Sequence, residues 1–156
     1  MPGPDVADVA NKCARLRDVR SVYLSGRFER RDEINACRLE LHEAGIEVTS
    51  SWLTDPEPPE LNEDSAGFSD PIWAALAGVD REEVHRADAI VLFADPQGGA
   101  GGSRHVEFGM ALAWRKTLIV VGEVENLFQR LPEVLVFSCW PSALRALKEL
   151  ATPVER

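Results

Sequence analysis

Two stretches of the chain are apolar without interruption at strand length, Ala89-Ile90-Val91-Leu92-Phe93-Ala94 and Thr117-Leu118-Ile119-Val120-Val121. Short runs rich in β-branched residues and lacking a polar face predict strands covered on both sides. Between them a glycine-rich turn, Gly98 to Ser103, opens a helix, so the segment predicts a strand, turn, helix, strand unit with parallel strands. Val19 to Ser25 predicts a first strand ending at Gly26, Ile46 to Ser50 a second, and Leu131 to Phe137 a fifth. Ile34, Cys37, Leu41 and Ala44 recur at helical spacing, with Gly45 as the residue that stops the helix. Asp70-Pro71 starts another helix, whose buried stripe is predicted to be Ile72, Trp73, Leu76, Val79 and Val84. A closing helix is expected over Trp140 to Leu150, with Pro141 at its start and Leu144, Leu147 and Leu150 on one face. Val6 to Arg17 carries a weaker stripe of Val9, Cys13 and Leu16 and predicts a helix laid on the domain.

The alternation describes an α/β chain with a mostly parallel five-stranded sheet. In such sheets chemistry sits where turns leave the carboxyl ends of the strands. No repeat and no linker interrupts the pattern, so residues 1–156 are expected to form a single domain, with 1–18 as an N-terminal helical extension. Residues 51–70 break the periodicity: the stretch is acidic, holds Pro56, Pro58 and Pro59, and predicts an active-site loop. Within it Trp52 is an apolar group able to cover a planar ligand, whereas Phe68 is expected to anchor the loop to the body.

The helix after the glycine turn changes this picture most. From Val106 to Trp114 it is apolar nearly all round, and Glu107 is its one ionisable group before Arg115. A helix apolar on every face is expected to be packed on every face. A carboxylate planted there, one turn past Ser103 as the expected N-cap, must be desolvated, hydrogen-bonded or kept for a reaction. The positive end of the helix helps to hold it ionised, and a sheltered, ionised carboxylate beside a glycine-lined cavity suits attack on a sugar carbon. On the residues alone, a Glu107 that caps the helix or pairs with Arg104 or Arg115 stands equally open. Asp80 falls on the side of its helix that carries Leu76 and Val84, which sets a second carboxylate at the core edge. On the residues alone, a partly exposed Asp80 that pairs with Arg81 or Arg86 is the preferred reading.

Composition sets the bounds. The chain has 156 residues, 45% of them hydrophobic and 28% charged, enough for one core and too apolar for disorder. A net charge of -9 disfavours a nucleic-acid polymer as partner, so an anionic ligand must be held by local Arg and backbone N–H groups. Cys13, Cys37 and Cys139 are odd in number and far apart, which predicts reduced thiols in a cytoplasmic protein. The start of the chain shows no signal-peptide pattern, and no apolar run reaches membrane-spanning length, so no membrane partner is expected. The glycine turn lacks the Gly-Lys-Ser/Thr of a P-loop and the third glycine of a dinucleotide fingerprint, and His42, His85 and His105 lack metal-ligand spacing. A Gly-x-Ser-x-Gly elbow is also missing.

Three motifs together resemble a known family. Val22-Tyr23-Leu24-Ser25-Gly26, then Asp80 with Ala87-Asp88-Ala89-Ile90-Val91 after it, then the glycine-rich turn leading into Val106-Glu107-Phe108-Gly109-Met110-Ala111 are similar in order and spacing to the nucleoside 2-deoxyribosyltransferase family and its relatives that hydrolyse nucleoside 5'-monophosphates. The resemblance covers roughly Val19 to Phe137. It implies a flavodoxin-like (Rossmann-like) three-layer sandwich and a homo-oligomer, most simply a dimer, with Trp114 and Trp140 available for the interface. It implies cleavage of an N-glycosidic bond through a covalent glycosyl-enzyme ester, with the sugar passed to another base or to water. In that scheme Glu107 is the nucleophile, Tyr23 orients it, and Asp80 protonates or holds the departing base.

Ser25, Gly26, Arg27, Trp52, Gly101, Gly102, Ser103 and Arg104 are the residues expected to line the substrate. Ser103 and the N–H groups at the head of its helix suit a 5'-phosphate, with Arg27 and Arg104 adding charge. No cofactor or metal is called for, because an adjacent anion stabilises the positive oxocarbenium-like transition state. The turn Asp95 to Ser103 is longer and richer in glycine than in the transferases, and Gly101 and Gly102 stand near where that family places an additional acidic residue. Two other classes stay open: an NAD-type nucleotide glycohydrolase using the same Glu, and a non-catalytic nucleotide sensor in which Glu107 binds a ribose hydroxyl.

Overall fold

A computed structural model of the chain describes residues 14–55, 71–95 and 102–151. Five parallel strands, β1 (Ser21–Ser25), β2 (Glu47–Val48), β3 (Ala89–Phe93), β4 (Thr117–Val121) and β5 (Val134–Phe137), form one sheet in the order β2-β1-β3-β4-β5. Four helices connect or follow them: α1 (Arg31–Glu43), α2 (Pro71–Arg86), α3 (Ser103–Ala113) and α4 (Trp140–Leu150). This is the flavodoxin-like order, whose ligand crevice lies beyond the carboxyl ends of β1 and β3, where the strand order reverses.

Strand alternation assigns the two faces. Val22, Leu24, Val91, Phe93, Ile119 and Leu135 join Ile34, Cys37 and Leu41 of α1 and Ala143, Leu144 and Leu147 of α4 in one apolar cluster. Tyr23, Ile90, Leu92, Leu118, Val120 and Val134 pack instead with Val84 of α2 and Phe108 and Ala111 of α3. Successive side chains point to opposite faces of a strand, so Tyr23 and Ser25 share the α2/α3 side. Asp88 ties the amino ends of β1 and β3 together: its Oδ2 accepts from the N–H groups of Arg20 (2.8 Å) and Ser21 (3.1 Å), and its own N–H donates to Ser21 Oγ (3.0 Å).

The expected helix stop at Gly45 is present, with φ at 79°, and the closing helix spans the predicted residues. Elsewhere the structure departs from the sequence pattern. β1 begins at Ser21 rather than Val19, β2 keeps two residues of the expected five, and β5 begins at Val134 because residues 131–133 form a turn closed by the Val134 N–H on the Leu131 carbonyl (3.0 Å). The stripe predicted for α2 is not a buried one: Val84 is its one buried residue, and Ile72 and Val79 are 49% and 45% exposed. α3 is likewise not packed on every face, since Val106 is 62% exposed and Gly109 and Ala113 also face outward. Each helix packs through one side, α2 chiefly on α3 and β1 and α3 on β3 and β4, and an apolar residue on the other side meets no second layer among the described residues.

Most of the expected N-terminal helix, Phe68, Asp70 and the glycines from Gly98 to Gly101 lie outside the described residues. Among those described, no helix is long and apolar enough to cross a membrane.

Candidate active site

The carboxyl end of β1 meets the first turns of α3 above the α2/α3 face of the sheet. Tyr23 Oη donates to Glu107 Oε1 at 3.1 Å, and Ser25 Oγ donates to Oε2 at 2.5 Å. Tyr23 and Ser25 are both fully buried, each at 0% exposure. Their two hydroxyls therefore reach the carboxylate from a rigid central strand. Among the described residues Glu107 forms no salt bridge with Arg104 or Arg115, and Arg104 Nη2 binds Glu125 Oε1 at 2.7 Å instead.

The electrostatics correct one expectation. Burial pushes the Glu107 carboxyl up to about 7; the Ser25 bond opposes this, the Asp80 charge adds to it, the Tyr23 bond opposes it and Glu83 adds to it. The helix terminus alone thus does not keep Glu107 ionised, and the hydroxyl bonds are what favour its charged form. Burial first, then the charges of Glu107 and Asp80, holds the Tyr23 phenol far above its usual range, so it remains a donor.

Ser103 is the first residue of α3 rather than its N-cap; Gly102 takes the cap position, and no side-chain bond caps the helix. A glycine offers no oxygen to the first N–H groups, and both Gly102 and Ser103 are exposed.

α2 packs against α3, β1 and the short Ser51–Leu53 turn, and Asp80 lies half-buried on it. Its carboxyl is raised to about 6, by burial first and then by the charges of Glu83 and Asp55. The arginine pairings proposed as alternatives are not formed among the described residues: Arg86 Nη1 binds Glu47 Oε1 instead. Glu83, one turn beyond Asp80, fixes α2 to the end of β2, its Oε2 accepting from Ser51 N (3.1 Å) and its carbonyl from Thr49 Oγ1 (3.0 Å).

The remaining predicted residues surround this centre unevenly. Trp52 is anchored by a bond from Nε1 to the Leu24 carbonyl (2.9 Å), beside the strand that carries both hydroxyls. At Gly26 a Cβ would come within 2.5 Å of Ile34 Cδ1, so the tip of that side chain would have to shift to admit one. Arg27 lies close to Asp95 (3.7 Å) and Glu29 (3.5 Å). Arg104 is 7% exposed and committed to Glu125, whose backbone N–H donates to the Gln129 side chain at 2.8 Å. Gly101 lies outside the described residues. Trp140, expected at an interface, packs on Phe93 (ring centroids 5.6 Å apart) and donates to Glu40 Oε1 (3.1 Å), while Trp114 remains 38% exposed.

Burial raises the Glu125 carboxyl, and the hydrogen bond and charge of Arg104, with smaller help from His105 and a backbone bond at Asp95, together leave it below its ordinary value. A carboxyl depressed in the folded state adds stability above its unfolded pKa and loses it as pH falls through the folded one. Arg104→Met is therefore expected to destabilise the fold by about 3–5 kcal/mol at neutral pH, where it strands a buried charge. The deficit is expected to shrink in acid as Glu125 takes up a proton, and denaturant titration at two pH values checks both statements.

Sequence reasoning placed Ser25 on the substrate, whereas it bonds to Glu107. The Tyr-x-Ser spacing at the end of a buried strand was the available signal, because it puts both hydroxyls on one face. Glu83, Asp55 and Glu125 were missed, and nothing in their local sequence distinguishes them from solvated acids.

No family model matches the chain, and no curated protein matches it in sequence. Among solved structures it is similar to a CMP N-glycosidase from Clostridium botulinum, at 16% identity and a TM-score of 0.52, over 81% of this chain and 97% of that one. It is also similar to a conserved protein from Enterococcus faecalis, at 14% identity and a TM-score of 0.53, over 84% of this chain and 98% of that one. At these identities the likeness is one of fold.

Proposed function

We propose that the chain is an N-glycosidase-type enzyme of the nucleoside 2-deoxyribosyltransferase-like superfamily, acting on a nucleoside or its 5'-monophosphate. The observation that carries this reading is the half-buried Glu107 carboxylate gripped by two strand hydroxyls at the carboxyl edge of a flavodoxin-like sheet. The fold likeness to a CMP N-glycosidase supports it. Glu107 attacks the anomeric carbon, and Asp80, whose raised carboxyl holds a proton toward neutrality, delivers that proton to the departing base. The glycosyl ester is then released to water or to a second base. The exposed head of α3 at Gly102 and Ser103 offers N–H groups to a 5'-phosphate.

The test is incubation of the protein with nucleosides, their 5'-monophosphates and NAD, with and without an acceptor base, followed by chromatography for free base. Base release from a monophosphate is the expected result, with tighter binding than the matching nucleoside and a preference that weakens as salt rises. Release from NAD in preference to mononucleotides would redirect the assignment to a dinucleotide glycohydrolase. Binding without release from any of them would make the protein a sensor.

The same reading carries a homodimer as partner state, and Val79 and Val106 are among the apolar groups that α2 and α3 expose. Light scattering is expected to give twice the chain mass. A monomer mass across the working concentration range would remove the dimer.

A further inference from the structure

The two hydroxyls on Glu107 are not equivalent, and on the glycosidase reading above the difference assigns each carboxylate oxygen a separate task. Tyr23 holds Oε1 at 3.1 Å, whereas Ser25 holds Oε2 at 2.5 Å, the length of a strong charge-assisted O–H···O⁻ bond. Ser25 is the last residue of β1 and wholly buried, so no water competes for its proton. The other ionisable groups acting on Glu107 are Asp80 and Glu83 from α2, both acids that disfavour its charge, and Tyr23 from β1. Among the described residues no cation is paired with it.

We propose that Ser25 is a positioning residue that fixes Oε2 as the spectator oxygen, leaves Oε1 to attack, and acts chiefly when Glu107 departs from the sugar. In the first half-reaction an Oε1 lone pair bonds to the anomeric carbon while the carbon–nitrogen bond breaks. The bond's electron pair leaves with the base, which takes the Asp80 proton. The looser Tyr23 bond yields to this attack, and Oε2 becomes the carbonyl oxygen of the ester, still accepting from Ser25. In the second half a water oxygen attacks the same carbon, its proton passes to the ionised Asp80, and the Oε1–carbon electrons return to Glu107. Negative charge builds on the carboxylate in that step, and a donor already in place on Oε2 stabilises it. Without Ser25 the carboxylate is more basic, which makes it a better nucleophile and a poorer leaving group. The two halves are thus affected unequally.

The experiment combines rapid-quench mass spectrometry of the Glu107 peptide and steady-state turnover of cytidine 5'-monophosphate with a ¹³C-carboxyl NMR titration of Glu107. It uses the full chain as wild type, Ser25→Ala, Ser25→Thr and Tyr23→Phe. Ser25→Ala is expected to lower turnover about 10-fold while raising the fraction of protein that carries the sugar. Its Glu107 midpoint is expected to rise by about one unit. Ser25→Thr restores both, and Tyr23→Phe slows the first half without accumulating the adduct. A Ser25→Ala protein that turns over slowly with no added adduct, or whose Glu107 midpoint stays put, overturns the proposal. A wild type that forms neither free base nor adduct from any member of the nucleotide panel refutes the glycosidase reading and with it the half-reaction assignment. The titration needs no substrate and still decides whether Ser25 holds Glu107.

Discussion

Glu107→Gln is expected to reduce base release by on the order of 10³-fold or more and to make the protein more stable at neutral pH. Glutamine keeps the shape but has one acceptor oxygen, so it accepts from one of the two hydroxyls while its Nε2 donates to the other, and its amide is too weak a nucleophile to form the ester. The stability change follows from linkage. The Glu107 carboxyl is raised from about 4.5 to about 7 in the folded protein, so the folded state binds the extra proton across that window and stability declines as pH rises through it. Above about pH 7 the full cost of a buried charge is present, and the glutamine variant escapes it. A higher melting temperature is therefore expected for Glu107→Gln at pH 8, with little difference at pH 4. Residual activity above about one per cent of wild type would remove Glu107 as nucleophile.

Asp80→Asn is expected to lower turnover by about 10²–10⁴-fold with little change in ligand affinity, since a leaving-group acid acts in the transition state. With Asp80 near 6 and Glu107 near 7, the pair holds one shared proton over a narrow range, and kcat/KM should peak there. The productive arrangement places that proton on Asp80 and the charge on Glu107, where the two hydroxyl donors hold it. The acid limb reports a second proton entering the pair, and the alkaline limb reports loss of the last one. Asp80→Asn should abolish the alkaline limb. Equal losses of turnover and affinity would instead make Asp80 a residue that grips the ligand.

The sheet was legible because three of its five strands, β3, β4 and β5, are short apolar runs with no polar face to confuse the period. β2 was overestimated since Thr49 and Ser50, read as strand, turn away to bond with Glu83 and the Leu24 N–H. The error on α2 and α3 has one physical source. Periodicity shows where apolar residues lie around a helix, but not whether anything lies beyond them, and Ile72, Val79 and Val106 face outward. At the site, Glu107 was legible as an isolated acid in an apolar helix, and its Tyr23 partner came from the family resemblance. Glu125 was not, because its bond with Arg104 joins the loop after β4 to the first turn of α3, which only the folded sheet brings together.

The alternation along β1 has a bearing on how the protein tolerates change. Val22 and Leu24 enter one core while Tyr23 and Ser25 enter the other with Glu107, so displacement by a single position would exchange the two sets. Hydroxyls would then sit among the aliphatic groups of α1 and α4, and leucine would face the carboxylate. The packing of Val22 and Leu24 therefore acts as a template that aligns the chemistry on the opposite side. Changes at Leu24, which never meets a ligand, should register as altered turnover as well as altered melting, and random libraries selected for activity should hold both sides of this strand nearly constant.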